Sequence, residues 1–149
     1  MTTKILFVCL GNICRSPTAE AVLRHRAPQL EVDSAGTSDW HVGNPPYGPM
    51  QAAAGRRGYD LAPLRARQVS ARDFDRFDLI VGMDGENIDG IERLRPAGAE
   101  TPVRRLTDYA PEAGINAVPD PYYTRDFDAA LDLIETCIDG LLGALPTRP

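Results

Sequence analysis

The chain has 149 residues, 43% of them hydrophobic and 25% charged, with a formal net charge of -5 at pH 7. That size and balance fit one domain burying its own core, expected over residues 1–149, and the negative charge opposes a nucleic-acid partner. Three cysteines form no paired framework, His25 and His41 lie near no cysteine pair, and no signal-like segment or apolar run of about 20 residues occurs; the expectation is a cytoplasmic protein with no metal and no membrane contact.

Taken in chain order, residues 4–8 form a short apolar run that reads as a strand, and residues 17–26 read as a helix behind the intervening loop. A second strand is expected over 31–35. Residues 36–48, rich in Gly, Pro and Asp, form a long loop of the kind that usually carries function. Helices follow over 49–57 and 70–74, the latter with Ser70 and Asp73 in capping positions, then a strand over 78–83, a helix over 86–94 and a strand over 102–106. Residues 107–125 form a second long loop. In the last helix Phe127, Ala130, Leu131, Ile134, Ile138, Leu141, Leu142 and Leu145 recur at helical spacing, and Cys137 falls on the same face as a core residue. Strands alternating with helices imply an α/β fold with a parallel sheet.

The chemistry concentrates between the first strand and the first helix, in Cys9-Leu10-Gly11-Asn12-Ile13-Cys14-Arg15-Ser16, with Pro17 in the first helical turn where its missing N–H costs nothing. Successive backbone N–H groups of Leu10, Gly11, Asn12, Ile13 and Cys14 at a helix N-terminus can converge on a phosphate-like anion. Cys9 at the base of that cradle is placed to act as a thiolate nucleophile. Arg15 can clamp two phosphoryl oxygens in a fork that lysine cannot supply. A bare Cys-x5-Arg spacing is weak by itself, arising by chance about one time in four in so arginine-rich a chain; its place at a strand end before Ser16-Pro17 makes it specific.

These residues, with Val8 and Ala19-Glu20, resemble the low-molecular-weight protein tyrosine phosphatases. Ser34-Ala35-Gly36, Asp39-Trp40-His41-Val42-Gly43, Ala66-Arg67-Gln68, Met83-Asp84 with Asn87, and Asp120-Pro121-Tyr122-Tyr123 follow in the family's order. The resemblance implies a three-layer fold with a four-stranded parallel sheet, order 2-1-3-4, flanked by about five helices. It also implies a phosphocysteine intermediate on Cys9 and no metal or organic cofactor. Asp120 resembles the family's general acid, protonating the leaving oxygen and then activating water. Trp40, Tyr122 and Tyr123 look like walls of an aromatic slot whose depth would exclude phosphoserine. Asn12 and Ser16 are expected to support the loop from within, with Ser34 reaching Asn12 by resemblance. Where many family members carry a supporting His, this chain has Leu64, so loop rigidity and Cys9 ionisation are expected to differ. Cys14 is implied as a redox partner of Cys9, with a free loop thiol as the alternative. Asp84 is either a family-like residue near the active-site end or a solvated turn aspartate, and His25 and His41 carry no catalytic role.

The implied partner is a phosphotyrosine protein, such as a tyrosine kinase, acted on by a monomer or weak dimer. Arsenate reductases share the loop, but no cysteine lies between Cys14 and Cys137 for a thiol relay. Arginine phosphatases share it too, where Ile13 and the paired Tyr122 and Tyr123 favour tyrosine. A noncatalytic phosphate-binding module would have no need for Cys9 with Asp120.

Overall fold

The computed structural model describes residues 3–145; residues 1–2 and 146–149, the ends of the expected domain, lie outside the described residues. Four strands, β1 (Lys4–Cys9), β2 (Glu31–Gly36), β3 (Leu79–Gly82) and β4 (Val103–Arg105), form one parallel sheet in the order β2-β1-β3-β4. β1 is apolar from Ile5 onward because it is covered on both faces, as a central parallel strand must be. Ile5, Phe7 and Cys9 point into one core with α1 (Arg15–Arg26), α2 (Gly48–Gly55) and α6 (Phe127–Ala144). Leu6 and Val8 point into the other, which holds Phe74 of α3 (Asp73–Arg76) and Ile91 of α4 (Gly85–Glu92). The period-2 alternation of a strand thus builds the three layers.

The chain leaves β1 toward β2 on one side and returns to β3 on the other. This reversal opens a crevice at the carboxyl end of β1, the place where open α/β sheets bind ligands. Cys9 ends β1, in register with Gly36 at the end of β2.

Most element ends shift by a residue or two from the sequence reading, and two departures are larger. The helix expected over 70–74 begins instead at Asp73, whose fully buried carboxylate accepts from the Ser70 N–H and from the Arg67 guanidinium. Its side chain makes the expected capping contact to Ser70 and a tertiary ion pair with Arg67 at once. The segment read as loop holds two 3-10 turns (Leu106–Tyr109 and Pro111–Ala113) and a one-turn helix, α5 (Pro121–Thr124), which brings the α-helices among the described residues to six where about five were expected. Asp120 caps α5 through the Tyr122 N–H (3.1 Å) with Pro121 in its first turn, signals strong enough to seed four helical residues.

Candidate active site

Cys9 sits at the strand end with its sulfur 3.0 Å from Ser16 Oγ, and the Asn12 N–H donates to it over 3.3 Å. Asn12 holds the loop. Its backbone is left-handed (φ 56), a conformation Asn tolerates, and its amide donates to Ser16 Oγ (2.8 Å) and Ser34 Oγ (2.9 Å). The amide oxygen accepts the Arg67 backbone N–H at 3.0 Å, which fixes which way round the amide lies. Ser34 spends its one proton on Glu20 (2.7 Å), so it can only accept from Asn12. Ser16 likewise accepts from Asn12, and its own hydrogen faces the Cys9 sulfur at 3.0 Å and the more distant Ala35 carbonyl at 3.4 Å. Asn12, Ser16, Ser34 and Glu20 are all buried, and their side chains stand behind the cavity floor rather than in the cavity.

Arg15 opens α1 and is 3% exposed. Its Nη1 donates to Asp84 Oδ2 and to the Val118 carbonyl, both at 2.8 Å, while Nη2 has only a long contact to Asp120 Oδ2 (3.5 Å) and Nε has no partner. Burial pulls its pKa down, but the charges of Cys9, Asp84 and Asp120 more than offset this and the net shift is upward, so the guanidinium stays charged. An unpaired buried N–H is costly unless a ligand takes it. One edge of the guanidinium is therefore anchored, while on the other Nε lacks a protein partner and Nη2 has only the long Asp120 contact. The two-way reading of Asp84 is resolved: it holds Arg15 and also caps α4 through the Asn87 N–H at 2.8 Å.

Cys9, Leu10, Gly11, Ile13, Cys14, Trp40, Asp120, Tyr122 and Tyr123 line one cleft of about 530 Å³, with His41 among them. Asp120, left 23% exposed, faces that cleft from the loop before α5, while Trp40 and Tyr123, 70% and 69% exposed, form its rim. Cys14 is buried; burial first, then the nearby Asp120 and Cys9, push its thiol up to about 12. No group of three or more His, Cys, Asp or Glu able to hold a metal occurs among the described residues.

Residues 4–148 match the family model described as low molecular weight phosphotyrosine protein phosphatase. The chain belongs to this family. It is 42% identical to the low molecular weight protein-tyrosine-phosphatase YfkJ of Bacillus subtilis, covering 95% of this chain and 94% of that protein. The YfkJ crystal structure superposes with a TM-score of 0.91 over 97% of this chain and 94% of that one. A low molecular weight protein-tyrosine-phosphatase of Streptomyces coelicolor is 41% identical over 97% of this chain and 94% of its own. The crystal structure of DARP, described as a Drosophila arginine phosphatase, is 31% identical with a TM-score of 0.89, covering 99% of this chain and 100% of that one.

Two residues of this phosphatase-family site escaped the sequence reading. His41, read as an ordinary loop residue, lies against Gly11, where an added Cβ would come within 3.0 Å of its ring, and it lines the cleft. Glu20, read only as part of a family motif, terminates the hydrogen-bond chain that runs through Ser34, Asn12 and Ser16 to Cys9. Burial raises its pKa despite the Ser34 hydroxyl and the Arg24 ion pair at 2.8 Å. The sequence carried no signal of this, because α1 has no distinct apolar face and buries Arg15, Ser16 and Thr18 as well as Ala19, Val22 and Leu23. Leu64, in place of the family's His, packs against the core, and Ser34 is met by Glu20 directly.

Proposed function

We propose that the protein hydrolyses phosphotyrosine by way of a phosphocysteine. The observation that carries this is the buried Arg15 guanidinium, anchored by Asp84 and Val118 with its Nε unpartnered, in a cavity that shares Asp120 and Tyr123 with the cleft lined by Cys9. In the first step the Cys9 thiolate forms an S–P bond as the bond from phosphorus to the phenolic oxygen breaks, and the Asp120 carboxylic acid gives its proton to that oxygen. Nε and Nη2 of Arg15 bind two equatorial oxygens as charge redistributes, helped by the loop N–H groups. In the second step the Asp120 carboxylate takes a proton from water. The water oxygen attacks phosphorus, the S–P bond breaks, and orthophosphate leaves with thiolate and carboxylic acid restored.

Ile13, Trp40, Tyr122 and Tyr123 supply the apolar and aromatic walls that suit a phenyl ring, which supports tyrosine over arginine as the phosphorylated residue. On the same reading the substrate is a phosphotyrosine protein, a tyrosine kinase being one such, and the enzyme works in the cytoplasm as a monomer or weak dimer. Cys14 serves as the resolving thiol: peroxide converts Cys9 to a sulfenic acid, and the Cys14 sulfur displaces water from it to give a disulfide.

The test is metal-free hydrolysis of phosphotyrosine, phosphoserine and phosphoarginine peptides at mildly acidic pH. Phosphotyrosine should be preferred, with turnover abolished in Cys9→Ser and lowered about 10²-fold or more in Asp120→Ala. A preference for phosphoarginine would overturn the substrate assignment, and turnover surviving Cys9→Ser would remove the covalent mechanism.

A further inference from the structure

Two non-glycine residues among the described residues have positive φ: Asn12 at 56° and Arg125 at 62°. Both lie in the segments that meet at the cleft. The hydrogen bonds at Asn12 explain the first. Arg125 takes its conformation as the left-handed cap that closes α5, a place glycine or asparagine usually fills, so a long side chain there carries strain that the surroundings must hold.

What holds Arg125 is a clasp. Its backbone closes α5 by donating to the Pro121 carbonyl at 2.9 Å, and α6 starts immediately afterwards, capped by Asp126. Its guanidinium lies 5.2 Å from the ring centroids of both Tyr47 and Phe127, and Nη1 donates to the Tyr47 hydroxyl at 2.8 Å. Tyr47 is itself tied to the nucleophile loop, because its N–H donates to the Ile13 carbonyl at 2.8 Å, and its ring packs 5.1 Å from that of Tyr122. A continuous path of contacts thus runs from the loop holding Cys9, through Tyr47 and Arg125, to the turn carrying Asp120, Tyr122 and Tyr123.

We infer that Arg125, clasped to Tyr47, is a positioning residue that sets the reach of Asp120 over the Cys9 loop. It touches neither substrate nor reacting atoms, and the inference rests on Asp120 as the general acid. The consequence is specific, because a displaced acid hurts departure of a strongly basic phenol more than departure of a weakly basic one.

The experiment measures kcat/KM for phenyl phosphate and 4-nitrophenyl phosphate, with thermal unfolding, for wild type, Arg125→Gly, Tyr47→Phe and Asp120→Asn. Glycine accepts the left-handed backbone without strain, so Arg125→Gly removes the clasp while leaving the turn its conformation. Arg125→Gly is expected to retain or raise Tm, to lower kcat/KM about tenfold for phenyl phosphate and to lower it only about two- to threefold for 4-nitrophenyl phosphate. Tyr47→Phe, which keeps the ring stack and loses the hydrogen bond, should fall between wild type and Arg125→Gly. Equal losses for both substrates in Arg125→Gly, whether from weaker phosphate binding or from a general loss of structure, overturn the inference, as does wild-type activity. If Asp120→Asn shows no leaving-group dependence, the general-acid assignment fails and the inference with it, an outcome distinct from failure at Arg125 alone.

Discussion

Asn12 combines a backbone role and a side-chain role that substitution can separate. Its amide serves Ser16, Ser34 and the Arg67 N–H, and its left-handed backbone turns the loop under Cys9. Asn12→Gly keeps the turn and loses the three bonds, leaving buried hydroxyls and an N–H to find other partners, at a cost of about 2–3 kcal/mol. Asn12→Ala loses the same bonds and adds strain at positive φ of about 1 kcal/mol. Urea melts should rank wild type above Gly above Ala, while both variants lose activity to a similar extent. If alanine matched wild type in activity, the hydrogen-bond network would have no part in holding Cys9.

The same contrast marks what could be read from the chain alone. Cys9, Arg15 and the N–H groups between them lie within one strand-to-helix turn, so their convergence follows from local structure. Asp120 carried a local signal as well, since Asp-Pro announces a turn and a cap. Asp84 reaches Arg15 from 69 positions away, and Tyr47 and Arg125 are 78 apart. No periodicity records such pairings, which depend on where separate loops return over the same sheet edge. Glu20 belongs with these, since α1 has no apolar face to mark it as internal and its partner Ser34 is brought alongside only by the fold.

At the scale of elements, small residues set how closely the layers approach. Gly140 of α6 faces the 3-10 turn Leu106–Tyr109 so tightly that an added Cβ would fall on the Tyr109 carbonyl. Helix propensity alone favours alanine over glycine by about 1 kcal/mol. Here the steric term wins, because the obstacle is backbone rather than a side-chain end, and Gly140→Ala should destabilise by about 2–3 kcal/mol, checked by chemical denaturation. Gly143 on the same helix meets nothing within 4 Å, so Gly143→Ala serves as the control and should be neutral or stabilising. Gly36 poses the same problem at the site: its Cβ would come within 2.8 Å of the Leu10 carbonyl, so β2 can support the Cys9 loop only if it ends in glycine.

For the molecule as a whole, two buried acids give the stability profile a defined slope on each side of neutrality. The fold favours protonated Glu20, since burial raises its pKa above the ordinary 4.5 by more than Ser34, Arg24 and Arg67 lower it, with Asp33 adding to the rise. Its contribution to stability is complete below the unfolded value and is lost as pH climbs through the folded one. Cys137, fully buried on α6, behaves alike at higher pH: burial, then Glu112, push its thiol from 9.0 up to about 11, so its contribution is complete below pH 9 and lost as pH rises toward 11. The size of that second loss is about 3 kcal/mol, taking about 1.4 kcal/mol per unit between 9.0 and about 11. Cys14 titrates too close to Cys9 to test this cleanly, so the comparison uses Glu20→Gln and Cys137→Ala. Tm of Glu20→Gln minus that of wild type should grow as pH rises above the ordinary glutamate value of 4.5, and Tm of Cys137→Ala minus that of wild type should grow between about 9 and about 11. Any cavity left by Cys137→Ala adds an offset independent of pH, so only the slope decides. A flat difference in either window would mean that water reaches the group and that the core is less closed there than its burial indicates.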